Sequence, residues 1–145
     1  MIDKKLKREA IKAGLCQEWQ DKWSDKGLIE KYLQGISWCM KNDYPSIKDM
    51  RKFKKELLRN NIYIEEDLTI NCDKEMYAFN SCNVDFTISR YDVCRIYIGR
   101  GTKLRVNVKD NAILYVDSYG GEVQVVKDNN AKCTVWKYKE GSMEY

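Results

Sequence analysis

The sequence predicts an α+β protein: an N-terminal helical module over residues 1–61, then a short two-sided β-solenoid over residues 62–145. Three observations carry this. Apolar residues follow a helical spacing up to Asn60, they alternate with a period of two after Asn61, and turn sequences then recur every 18–21 residues.

In the first module, Asp3 to Ala13 places Leu6, Ala10 and Ala13 on one face, with Gly14 positioned as a C-terminal cap. Leu15, Trp19 and Trp23 recur every four residues and mark a second short helix, which Gly27 breaks. From Leu28 to Asn42, the set Ile29, Tyr32, Leu33, Ile36, Cys39 and Met40 matches the 3.6-residue period. A turn at Asp43-Tyr44-Pro45 precedes Ser46-Ile47-Lys48-Asp49, a capping-box-like start to a helix reaching about Asn60. Its apolar face is Ile47, Met50, Phe53, Leu57 and Leu58.

Past Asn61 the alternation of Ile62/Ile64, Leu68/Ile70, Val84/Phe86/Ile88, Ile96/Ile98, Leu104/Val106/Val108, Leu114/Val116, Val123/Val125 and Val135 is that of half-buried strands. Two sets of turns separate them. One is Asn80–Asn83, Gly99–Gly101, Tyr119–Gly121 and Glu140-Gly141; the other is Arg90–Asp92, Lys109–Asn111 and Lys127–Asn130. Each set recurs once per two strands, so a coil holds two strands and equivalent strands stack in parallel. An antiparallel meander or sandwich gives similar spacing and is the alternative; most turns here lack the Asn-Gly type that favours tight hairpins.

Composition narrows the function classes. A 43% hydrophobic and 33% charged chain is ordinary for a globular protein, and no apolar run approaches a membrane span. The N-terminus is charged and amphipathic, unlike a signal peptide, so a cytosolic chain with reduced cysteines is expected. With no histidine and no C-x-x-C pair among six cysteines, neither a metal site nor a cofactor is expected. The absence of histidine also removes the usual general base, and no phosphate-cradling loop is present, so the expectation is a protein that is not an enzyme.

Charge divides with the period: residues 1–60 carry +6 and residues 61–145 carry −2. Lys48, Arg51, Lys52, Lys55 and Arg59 fall on one stripe of the predicted 46–60 helix, where they are either simply solvated or able to neutralise phosphates. Trp38 points away from the apolar stripe of its helix, toward a neighbouring helix or a partner. In the stacked coils, Tyr97, Tyr115 and Trp136 are expected at equivalent outward positions, forming an aromatic ladder. On the other sheet Thr87, Arg105 or Asn107, and Gln124 would line up. The ladder either stabilises its face or receives a protein, a sugar or a second copy of the chain.

The stretches Ala13-Gly-Leu-Cys-Gln-Glu-Trp19, Tyr32-Leu-Gln-Gly-Ile-Ser-Trp-Cys39 and Asn42-Asp-Tyr-Pro-Ser46, followed by the strand repeat, carry a resemblance. The chain resembles short, largely uncharacterised proteins of Bacteroidetes and their phages with a helical N-terminal region and a β-solenoid-like C-terminal region. That resemblance implies a phage-derived setting, in a bacterial cytosol or in a virion, and implies no catalytic residues. The resulting expectation is a structural or interaction protein, prone to homo-oligomerise, that docks through its helices and displays a β-face. The alternative is a nucleic-acid-associated regulator using the basic helix.

Overall fold

The computed structural model describes residues 2–12, 14 and 32–145. It divides into two compact units between Phe53 and Lys54.

In the first unit, α1 (Ile2–Lys12) buries Ala10. Gly14 closes the helix end, its N–H donating to the Ile11 carbonyl at 3.0 Å from a backbone with φ +96°. An L side chain strains that conformation, which is why glycine follows the helix. The predicted helix around Trp19 and Trp23 lies outside the described residues, as does the start of the 28–42 helix. Residues 32–34 are helical, Gly35 forms a turn, and α2 (Ile36–Lys41) follows. Tyr32, Ile36, Cys39 and Met40 are buried, as the helical period requires.

Ser46 caps α3 (Ile47–Met50): its Oγ accepts from the Asp49 N–H at 3.3 Å and donates to Asp49 Oδ2 at 3.1 Å. The helix expected to run unbroken to Asn60 is instead three pieces: α3, a 3-10 turn at Arg51–Phe53, and α4 (Lys54–Arg59) in the second unit. Ile47, Met50 and Phe53 recur every three residues, the repeat of a 3-10 turn, before the step lengthens to four at Leu57.

The second unit is a parallel β-solenoid. One sheet, here called the broad sheet, has the order β1-β3-β5-β7-β9-β10, and the narrow sheet has β2-β4-β6-β8. The strands are β1 (Ile62–Ile64), β2 (Asp67–Asn71), β3 (Met76–Asn80), β4 (Asn83–Ile88), β5 (Val93–Ile98), β6 (Lys103–Val108), β7 (Ile113–Ser118), β8 (Glu122–Lys127), β9 (Lys132–Lys137) and β10 (Gly141–Glu144). The chain alternates between sheets, so each strand pairs in parallel with the next-but-one, as β5 does with β7 and β4 with β6. The parallel pairing settles the choice between solenoid and meander in favour of the solenoid. Strand β10 is the exception, turning back through Lys139 (φ 75°) and Gly141 (φ 94°) to pair antiparallel with β9.

Between the sheets lies one continuous apolar core that includes Tyr77, Phe79, Phe86, Ile96, Val106, Leu114, Val116 and Val135. At the first coil the outer side of the broad sheet is buried as well. Ile62, Ile64 and Ala78 are at most 1% exposed, and α4, with Leu57 buried, packs against β1. A 3.2 Å ion pair from Lys54 to Glu66 fastens α4 to the turn after β1.

The corners explain the turn repeat. At one corner the inward positions are Cys82, Thr102 and Gly121, one above another by strand register. The Thr102 hydroxyl, fully buried, accepts from the Cys82 N–H at 3.3 Å and donates to the Phe79 carbonyl at 3.2 Å. At the opposite corner Ala112 and Ala131 fill the inside, while carboxylates stitch the outside. Asp110 accepts from the Arg90 N–H, and Asp128 from the Asp110 N–H, both at 2.9 Å. The recurring Lys-Asp-Asn sequence is therefore a device for satisfying the backbone of the adjacent coil.

Candidate interaction face

Outward residues of the broad sheet stand in columns set by register. Tyr97 is level with Asp117, and Asp117 with Trp136. Arg95 is level with Tyr115, and Tyr115 with Thr134. One step beyond the strand ends the ladder continues: the Tyr119 N–H donates to Ile98 O at 2.9 Å and the Tyr138 N–H to Ser118 O at 2.8 Å. Gly99, Tyr119 and Tyr138 thus form a third column.

This corrects the expected ladder. Tyr97 and Trp136 share a column but are separated by Asp117, and Tyr115 lies in the neighbouring column. Tyr115 follows Tyr97 by 18 residues, whereas one coil here advances the register by 20. The narrow sheet shows the same offset: Thr87 is level with Asn107 and then Val126, while Gln124 is level with Arg105.

The face is knit by Arg95. Its guanidinium pairs with Asp117 at 3.1 Å and lies 5.2 Å from the centre of the Tyr115 ring. Beside it, Tyr119, Trp136 and Tyr138 form an aromatic cluster, with ring centres 5.3 Å apart for Tyr119–Trp136 and 6.2 Å for Trp136–Tyr138. Tyr119 is buried within it, while Tyr115 and Tyr138 each remain 38% exposed. Tyr91 and Val93, at the rim, are exposed too. Such rings offer apolar faces with polar edges, and few torsions to freeze. Tyr119 escapes sequence reading because it falls in the Tyr119–Gly121 segment that reads as a turn, and Tyr138 because it lies past the last apolar alternation at Val135.

The narrow sheet presents a different outer surface, of Asn83, Asp85, Thr87, Arg105, Asn107 and Gln124, with one exposed apolar residue, Val126, beside them. Arg105 donates to Asp85 at 2.6 Å and to Asn83 at 3.3 Å. That hydrogen bond from Arg105 holds the Asp85 carboxyl below the ordinary aspartate value. Asp117 shifts the other way: burial raises it, and Arg95 offsets only part of the rise. Asp85 therefore adds stability above its unfolded pKa, which is lost as pH falls through its folded value. Asp117 behaves oppositely: its contribution is present below the unfolded pKa and lost as pH rises through the folded one. In a carboxyl-detected NMR titration Asp117 is expected to titrate above 3.8 and Asp85 below it; the reverse order would refute these environments.

The other sequence-derived candidates belong to the helical segments. Trp38 is half-buried, edge-on to Tyr44 with ring centres 5.6 Å apart, so it has a partner within its own unit. Lys48, Arg51 and Lys52 belong to the first unit and Lys55 and Arg59 to the second; all five are exposed. Lys52 is 3.7 Å from the buried Asp49 carboxylate. A 3-10 turn at Arg51–Phe53 interrupts the single helix expected over these five residues.

Among the described residues, no group of three or more His, Cys, Asp or Glu side chains could hold a metal ion, and no helix is long and apolar enough to cross a membrane. Comparison with family models, curated proteins and solved structures finds no match to the chain.

Proposed function

We propose that this is a non-enzymatic interaction protein that docks a partner protein on the outer face of the broad sheet. The observation that carries the reading is the concentration of Tyr97, Tyr115, Trp136 and Tyr138 around the Arg95–Asp117 pair, opposite a narrow sheet whose outer surface is polar apart from Val126. Aromatic residues with an arginine among them are the commonest energetic anchors of protein interfaces. The helical unit is the second docking element of this proposal, and the resemblance to phage-associated proteins suggests a phage or prophage component as the partner.

The test is affinity capture from the native background with the tagged full chain. Replacing Tyr97, Tyr115 and Trp136 together by alanine is expected to weaken capture of the specific partner by roughly 30-fold or more, the loss of a hot-spot cluster. The circular-dichroism spectrum should be unchanged, since the three side chains lie outside the core between the sheets. Equal capture by both proteins would reject the face as the docking surface.

A further inference from the structure

We propose that Cys72 and Cys94 form an oxidisable dithiol, at which a small-molecule disulfide such as oxidised glutathione closes a covalent link across successive corners of the solenoid. Cys72 follows the last residue of β2 and continues its ladder, its N–H donating to the Thr87 carbonyl at 2.8 Å. It thereby occupies the inward column of Leu68 and Ile70 and packs against the core. The chain then turns through Asp73, Lys74 and Glu75 into β3. Cys94, 1% exposed, points inward from β5, the strand stacked on β3. The Arg95 N–H donates to the Glu75 carbonyl at 2.9 Å, which brings Cys94 level with the corner that Cys72 opens.

The register thus sets the two thiols at successive corners, close enough for each to act on the other's ionisation. Cys72 Sγ also lies 3.2 Å from the Lys74 carbonyl, and Cys94 Sγ lies 3.7 Å from that of Arg95. Cys72, Cys94 and the other described cysteines are free thiols. Cys72 is half-buried and Cys94 fully buried, which fixes the order of reaction.

The Cys72 thiol loses its proton to solvent, and its thiolate attacks one sulfur of the oxidised glutathione. A mixed disulfide forms and one glutathione thiolate leaves. The deprotonated Cys94 sulfur then attacks the Cys72 sulfur, closing the Cys72–Cys94 bond and expelling the second thiolate. Both cysteines are oxidised, the reagent disulfide is reduced to two thiols, and the two protons released balance the two thiolates formed. Burial raises both thiol pKa values, so the exchange is slow at neutral pH and accelerates as pH rises.

The reduced full-length protein is incubated with oxidised glutathione, alkylated, digested and mapped by mass spectrometry. The expected product is one cross-linked peptide pair joining Cys72 to Cys94, reversed by dithiothreitol, with a Tm raised by roughly 10 °C. Cys94→Ser should stop the reaction at a Cys72–glutathione mixed disulfide, and Cys72→Ser should leave Cys94 a thiol. Two alkylated thiols at 72 and 94 in the treated wild-type protein, or a cross-link from either to another cysteine, would overturn the proposal. Wild-type mapping alone decides between these results, whether or not the variants fold.

Discussion

Replacing Phe86 with alanine is expected to destabilise the solenoid by about 3–5 kcal/mol, the range for emptying a buried aromatic site. Phe86 is 1% exposed, level with Ile70 on one side and Val106 on the other, and its ring meets Tyr77 edge-to-face at 5.2 Å. It spans the gap between the two sheets at the early coils. Tyr77 cannot move in to fill the space. Its hydroxyl is tied down, donating to Asp73 Oδ1 at 2.7 Å and accepting from the Asp73 N–H at 3.1 Å. Phe86→Leu, which keeps most of the volume, should cost less than half as much. Denaturant unfolding of the two variants measures both, and equal losses would mean that the site relaxes freely.

The second large effect is expected at Gly121, where Gly121→Val should cost about 3 kcal/mol by overpacking. A Cβ there would lie 2.9 Å from the Thr102 carbonyl oxygen, 3.1 Å from that of Gly99 and 2.7 Å from Ile98 Cδ1. The Ile98 methyl can rotate away, but the two carbonyls belong to the adjacent coil and cannot. The inward corner column shrinks along the stack, from Cys82 through Thr102 to no side chain at Gly121. The valine variant is expected to unfold at clearly lower denaturant with an unchanged slope. Wild-type stability would show that the corner is looser than this packing.

Much of this architecture is legible because one face of each strand is apolar and the other is not. Val84/Phe86/Ile88 and Leu104/Val106/Val108 alternate cleanly, and the structure places all six inside. Strand β3 is not legible, since Tyr77, Ala78 and Phe79 are consecutive and all buried. There the outer side of the broad sheet is covered too, so the alternation disappears. Strand β10 carries no apolar pattern at all; Gly141-Ser-Met-Glu144 becomes a strand only because β9 offers an edge.

The candidate face was half legible. Outward orientation follows from parity, and Tyr97, Tyr115 and Trp136 do point out of the broad sheet. Their columns depend on the coil length, which changes from 20 residues between β5 and β7 to 19 between β7 and β9, because the corner over residues 119–121 is one residue shorter than the corner over residues 99–102. A two-residue error in that length moves a side chain one column sideways, and this displaced Tyr115. The Cys72–Cys94 pair was invisible for a related reason: residues 22 apart become neighbours only when the corner geometry is known.

The most direct test of the account is the register of the broad sheet, because the proposed face exists only if the stack is parallel. Inter-strand NOEs in the labelled full chain should join the Tyr97 backbone to that of Asp117, and Asp117 to Trp136. NOEs pairing consecutive strands, β4 with β5 or β5 with β6, would instead establish a meander, dissolve the Arg95–Asp117–Tyr115 cluster and contradict the account.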